Sequence, residues 1–291
     1  IAKEYEKKYP EVIRVIDQEN RGHGGAWNHG TELAIGKYCF YLDSDDWVTT
    51  NQFEQLVEQL KSNDTDLVFI NSQTYYAATD SYVKHNIINL IPNRVYDLDV
   101  FDWIHTPQIP NVTYITHCVY KTDLLKPHLP IFLEKVHYDD IILEGLPILL
   151  SRTFVHYDLC VYNYYKGREG QSFDPNVRAK HFDDVTTVLK SSIDFVKINT
   201  PMETSKRREF GMNLYESFIR YHYYEIANEP INYSKTHLIE WDTYVRENHS
   251  QVEPDKLMNH YRHLPFSVFI FGFKISRYYT KGLKWIKKHI R

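Results

Sequence analysis

Cysteine and long apolar runs are scarce in this chain of 291 residues, and an excess of positive charge is missing. The three cysteines, Cys39, Cys118 and Cys160, lie far apart in apolar surroundings and read as buried thiols of a reducing compartment. No apolar run reaches the roughly 18 residues that a membrane-spanning helix needs, and no signal-peptide pattern opens the chain. Against 38 acidic side chains stand 34 basic ones, a formal net charge of −4, which argues against bulk nucleic-acid binding. Internal repeats and low-complexity segments are absent. Tyrosine, by contrast, is abundant at 24 residues, and amphipathic packing accounts for it best. The chain also begins without methionine: Ile1, Tyr5 and Tyr9 share one face of a charged, uncapped helix that stops at Pro10. Such a start reads as the interior of a domain, with an upstream segment expected beyond this sequence.

Hydrophobic periodicity predicts a strand at residues 12–16 and a glycine-rich loop over 20–30 that carries Gly22, Gly24, Gly25 and Gly30. A helix closing at Gly36 and a wholly apolar, buried strand at 38–42 follow. Phe53, Leu56, Val57 and Leu60 then form a helical stripe before a strand at 66–72. This alternation with short connections predicts an α/β fold with a mostly parallel, Rossmann-like sheet. Residues 74–96 read as an antiparallel excursion and 112–120 as a further strand. Beyond 172 the pattern is helical, so the expected boundary lies near 173, between an α/β part (1–172) and a helical part (173–291).

The stretch Asp43-Ser44-Asp45-Asp46 follows the apolar run directly, at the carboxyl end of a strand, where α/β sheets bind ligands. Clustered carboxylates suit a hard divalent ion such as Mg2+ or Mn2+, and such an ion usually accompanies phosphates. A calcium loop starting at Asp43 fits poorly, because Trp47 and Val48 stand where a polar ligand and glycine are needed. Ordinary turn and helix-cap chemistry fits these residues as well as a metal does.

Four blocks, in order, make the chain resemble the family 2 glycosyltransferases of GT-A fold. They are Asn20-Arg21-Gly22-His23-Gly24-Gly25-Ala26-Trp27-Asn28, then Gly36 through Trp47, then Tyr138-Asp139-Asp140-Ile141, then Tyr164 through Ser172. The resemblance implies an enzyme that moves a sugar from a nucleotide-sugar donor, in particular a UDP-sugar, to a glycan or lipid-linked acceptor with inversion. It implies that Asp43 and Asp45 form an Asp-X-Asp motif holding the donor diphosphate through Mg2+ or Mn2+, Asp45 being the direct ligand, with Asp46 supporting them or capping a helix. It makes Asp140 the general base, with Asp139 standing where relatives carry Glu. It gives Asn28, Arg168 and Ser172 contacts to the donor. The Gln-X-X-Arg-Trp motif of processive synthases is not matched, so addition of a single sugar or limited elongation is preferred. Trp27 departs from the family, since many relatives carry Arg there. The family's first strand and its acidic turn, which hold the nucleoside, are absent from this numbering, which implies an N-terminally truncated domain that binds donor poorly.

The end of the chain has its own signal. Residues 274–291 hold seven basic side chains and no acid, and Ile275, Leu283, Trp285 and Ile286 fall on the opposite face of a projected helix. That pattern predicts an interfacial helix on anionic lipid, hence a peripheral protein at the cytoplasmic face of the cell membrane; a terminal helix packed on the domain is the alternative. Two other function classes stay open: a degenerate glycan- or partner-binding subunit, and a sugar nucleotidyltransferase.

Overall fold

The computed structural model describes residues 1–87, 89–102, 114–168, 170–172, 177, 180–199, 206–228 and 231–248. The basic segment 274–291 and part of the strand expected over 112–120 lie outside them. In chain order the elements are α1 (Ala2–Lys8), α2 (Gly22–Leu33), β1 (Tyr38–Cys39), β2 (Trp47–Val48), α3 (Thr50–Ser62), β3 (Leu67–Tyr76), β4 (Ser81–His85) and β5 (Val95–Asp97). Then come β6 (Cys118–Lys121), α4 (Thr122–Leu125), α5 (Ile141–Leu150) and β7 (Thr153–Lys166). Three long helices end the described chain: α6 (Phe182–Asn199), α7 (Lys206–Asn228) and α8 (Ile231–Asn248).

The sheet is built on β3 and β7, long strands rich in aromatic and β-branched residues that pair in parallel from Leu67↔Phe154 to Tyr76↔Lys166. Every other pairing among the described strands is antiparallel: β1 and β3 flank β6, β4 pairs with β3, and β2 and β5 pair with β7. The α/β class and the helical C-terminal region match the expectation, while its mostly parallel sheet reduces to one parallel pair. The reason lies in β1 and β2, which are two residues each. The chain leaves the ladder after Cys39 to place its acids, so the apolar run 38–42 never becomes a full parallel strand. From Phe69 to Ser72 β3 takes three steps while β7, from His156 to Tyr162, takes six, so β7 bulges there. Asn71 seals the bulge, donating to Asp158 (2.7 Å) and accepting from the Ile87 backbone N–H (2.8 Å).

Alternation along β3 sorts the core. Leu67 and Phe69 face α5, packing with Ile142, Leu143 and Leu146, whereas Val68 and Ile70 face α3 and its buried Leu56. Phe53 and Leu60 complete the α3 stripe, but Val57 lies at its edge, 42% exposed. A third cluster unites α6, α7 and α8 around Tyr215, Tyr223 and Trp241, and Leu149 of α5 joins it.

Two expectations fail locally. Residues 12–16 form no strand; Val12 is 85% exposed, and a short apolar run needs a strand edge to pair with. Residues 22–30 are helical rather than a loop. Gly24 permits this by letting α2 lie against the segment leading to Asp139: a Cβ there would meet the Leu133 carbonyl oxygen at 2.1 Å and Phe132 Cβ at 2.8 Å.

Candidate active site

Three segments far apart in sequence deliver charged side chains to one cleft of about 1790 Å3. Asp43 and Asp45 come from the turn between β1 and β2, and Asp139 and Asp140 from the residues before α5. Arg168 enters from the loop after β7, and Phe218 and Tyr221 of α7 line the same cleft.

The Asp43–Asp46 turn is closed by the Asp46 N–H donating to the Asp43 carbonyl at 3.1 Å. Its three acids then have different fates. Asp46 points back into the fold, where the Tyr162 hydroxyl (2.5 Å) and the Tyr165 backbone N–H (2.7 Å) donate to it. Burial pushes its carboxyl up to about 6, against those two hydrogen bonds, which favour the charged form. Thr49, not Asp46, occupies the N-cap position of α3. Asp43 and Asp45 remain for the cleft. Asp45 faces the Arg168 guanidinium at 3.1 Å, and Asp43 receives the Nε2–H of His23 at 3.3 Å.

His23, in the first turn of α2, joins the two acidic groups. Its Nδ1–H donates to Asp139 at 3.0 Å while Nε2–H reaches Asp43. Burial alone would favour the neutral ring, but the hydrogen bonds and charges of Asp139 and Asp43 prevail and raise the imidazole to about 10. The ring is therefore an imidazolium at neutral pH, a cation between Asp43 and Asp139. Asp139 is buried, at 3% exposed, and one of its oxygens packs so close to Gly24 that a Cβ there would stand 2.7 Å away.

Asp140 holds the N-cap position of α5, yet its side chain makes no capping bond. Helix-cap chemistry, the ordinary alternative for this pair, thus does not consume it. Burial, seconded by the neighbouring charge of Asp139, pushes its carboxyl up to about 6; His23 acts in the opposite sense. Tyr138 just before the pair sits in the left-handed region at φ 65°, and its hydroxyl donates to the Ser172 carbonyl at 3.0 Å. The segment of Asp139 and Asp140 and the loop after β7 are so tied together.

That loop is organised by Gln171. Its Oε1 accepts from the backbone N–H groups of Gly167 (2.9 Å) and Arg168 (3.2 Å), and its amide donates to the Tyr165 carbonyl at 2.8 Å and to Asp45 at 3.4 Å. Arg168 is thereby aimed at the acid turn. Asp43, Asp45, Asp139, Asp140, Arg168 and Ser172 all line the cleft. Asn28 does not: it is buried, its Oδ1 accepts from the Ile131 and Phe132 backbone (2.9 and 3.0 Å) and its Nδ2 donates to the Phe132 carbonyl at 2.8 Å. It fixes the segment leading to Asp139, and its amide is spent on that task. His23, Gln171 and Tyr162 are the residues that sequence reasoning missed. Their partners lie as far as 126 residues away along the chain, so no local spacing marked them.

Asp43 and Asp45 are a suitable pair for a hard divalent ion, which commonly takes one or two carboxylates and fills its other positions with water and phosphate oxygens. Each already faces a side-chain cation, so an entering ion competes with His23 and Arg168.

Residues 1–119 match the model of Glycosyl transferase family 2. The uncharacterized glycosyltransferase YibD of Escherichia coli (strain K12) is 28% identical over 172 residues, 57% of this chain and 48% of that protein. EpsH of Bacillus subtilis (strain 168) is 36% identical over 87 residues, 30% of this chain and 25% of EpsH. The matched stretches thus span a half or less of these relatives. Among solved structures, residues 1–349 of S. aureus TarS in complex with UDP-GlcNAc share the fold at a TM-score of 0.65 and 14% identity, covering 96% of this chain and 79% of that one. With its acid turn and its Asp139–Asp140 pair in one cleft, the chain is similar to the family 2 glycosyltransferases over its first 119 residues.

Proposed function

We propose that the protein transfers a single sugar, with inversion, from a nucleoside-diphosphate sugar to a hydroxyl of a glycan or lipid-linked glycan in cell-surface polysaccharide assembly. The observation that carries this reading is the opposition, across one cleft, of Asp43, Asp45 and Arg168 to the uncapped Asp140, with His23 between them. In this reading the acceptor hydroxyl attacks the anomeric carbon, the bond to the diphosphate oxygen breaks, the hydroxyl proton passes to Asp140, and the nucleoside diphosphate leaves. A base of moderately raised pKa suits that task at neutral pH. Arg168 meets the charge that develops on the leaving diphosphate, and in this reading the Ser172 hydroxyl, which lines the same cleft, donates to it. Asp45 and Asp43 would hold Mg2+ or Mn2+, whose contribution when bound is to neutralise the diphosphate. A UDP-sugar is the preferred donor, supported by the shared fold with TarS, solved with UDP-GlcNAc and with UDP. The basic segment 274–291 supports a peripheral position at the cytoplasmic membrane face, next to a lipid-linked acceptor.

The test is a panel of UDP-sugars and acceptors, including lipid-linked glycan in anionic vesicles, with the full-length protein. Transfer should fall by at least about 100-fold in Asp45→Ala and in Asp140→Asn. Unchanged transfer in both would refute the site. Equal sedimentation with the vesicles after deletion of 274–291 would refute the membrane reading alone.

A further inference from the structure

Outside the acid turn and the base pair, His137, His181 and Asp184 converge where the segment carrying Asp139 and Asp140 meets the first helix of the helical region. His137 lies two residues before Asp139. His181 immediately precedes α6, and Asp184 is in its first turn. One carboxylate oxygen, Asp184 Oδ2, collects the Nδ1 atoms of His137 at 3.2 Å and of His181 at 3.1 Å, and it also accepts from the His137 backbone N–H at 3.0 Å. The two imidazoles stack with centroids 3.5 Å apart. Among the described residues this is the one place where three His, Cys, Asp or Glu side chains bring ligand atoms within 4.8 Å of one another.

From this geometry we infer that His137, His181 and Asp184 form a transition-metal site of zinc type, distinct from the cleft's carboxylates, that staples the catalytic-base segment to α6. Two imidazoles and one carboxylate are a ligand set that zinc accepts readily and that magnesium, which prefers oxygen, does not. The dimensions agree: metal–ligand bonds of about 2.1 Å at tetrahedral angles set neighbouring ligand atoms about 3.4 Å apart. The Asp184 Oδ2 separations from the two Nδ1 atoms, 3.2 and 3.1 Å, are close to that value, and all three ligand atoms lie within 4.8 Å of one another. Three protein ligands leave the fourth position to water. The His137 side chain is 44% exposed and those of His181 and Asp184 are each 25% exposed, so an ion and its water can enter from solvent. The consequence is local. Closing this staple restrains the backbone beside Tyr138, whose strained conformation aims Asp139 at His23.

The experiment is zinc titration of the chelator-stripped full chain, using a colorimetric competitor and, in parallel, Co2+, whose visible absorption intensifies in tetrahedral coordination. One equivalent of Zn2+ should bind in the presence of millimolar Mg2+, raise the unfolding temperature, and give the cobalt signature. His137→Ala, at an exposed position that leaves the fold intact, should weaken Zn2+ binding at least about tenfold, His181→Ala should do the same, and Asp45→Ala should leave it unchanged. Absence of a stoichiometric equivalent, or binding that survives His137→Ala but is lost in Asp45→Ala, would overturn the inference, the second result by placing the ion in the cleft.

Discussion

Asp140 carries opposing demands at the residue scale. To take a proton in the proposed transfer it must be ionised, yet burial and the adjacent Asp139 hold its carboxyl up at about 6 against an ordinary 3.8. The facing groups are Asp139, Asp43 and the imidazolium of His23, and only the last favours ionisation. The sign for stability follows by linkage. Between about pH 4 and 6 the folded chain keeps a proton that the unfolded chain releases, so this residue's contribution is fully present below 3.8 and is lost as pH rises through about 6. Above that pH the buried charge costs on the order of 3 kcal/mol, at about 1.4 kcal/mol per pKa unit of displacement. Asp140→Asn should therefore unfold at a higher denaturant concentration than the parent at pH 7.5 and at nearly the same one at pH 3.5. In the parent, kcat/KM should fall tenfold per pH unit below about 6. A variant no more stable than the parent at pH 7.5 would contradict the assignment of burial as the cause.

At the scale of elements, α2 shows why glycine content misled. Residues 20–30 read as a loop because glycine disfavours helix, yet tertiary contact decides here: Gly24 abuts the Leu133 carbonyl and Phe132, and Arg21 pairs with Glu134 on the same segment. Gly30, in the same helix, has nothing within 4 Å of where a Cβ would stand. Opposite outcomes follow. Gly24→Ala forces backbone apart and should cost at least about 1–3 kcal/mol, with loss of transfer because Asp139 moves. Gly30→Ala should gain about 0.5–1 kcal/mol with transfer unchanged, both read from denaturant midpoints and initial rates. Equal behaviour of the two variants would mean that α2 does not press on the base segment. The α3 stripe, β3, and both acidic pairs were legible because each is announced by neighbours within a few residues. β7 was not, although its run of aromatic and β-branched residues from Thr153 to Tyr165 was there to be read. Its partner β3 lies more than 80 residues earlier, and its six-for-three bulge breaks the alternation that marks a strand. His23 escaped for a related reason, since its acids are 20 and 116 residues away.

For the whole molecule, the question is whether the α/β part and the helical part are separable. Sequence composition suggested a boundary near 173, but α5 belongs to both cores: Ile142, Leu143 and Leu146 pack against the sheet, while Leu149 packs among α6, α7 and α8. The contact is close. A Cβ on Gly145 would stand 2.6 Å from the Tyr215 ring, one on Gly211 would stand 2.5 Å from Leu149, and the Tyr215 hydroxyl donates to the Ile142 carbonyl at 2.8 Å. Because Asp140 holds the N-cap position of α5, loosening the helices loosens the proposed base, and Phe218 and Tyr221 of α7 leave the cleft wall with them. Trp241, buried at 1% exposure in the helical core and remote from the acids in sequence, is the position that tests this coupling. Trp241→Ala should cost about 3–5 kcal/mol. The midpoints followed by far-UV circular dichroism and by resistance of the β3–β7 sheet to hydrogen exchange should fall together, as one cooperative transition. If the helices instead melt early while β3 and β7 keep their protection, the boundary near 173 is energetically real and α5 does not transmit stability from the helices to the cleft.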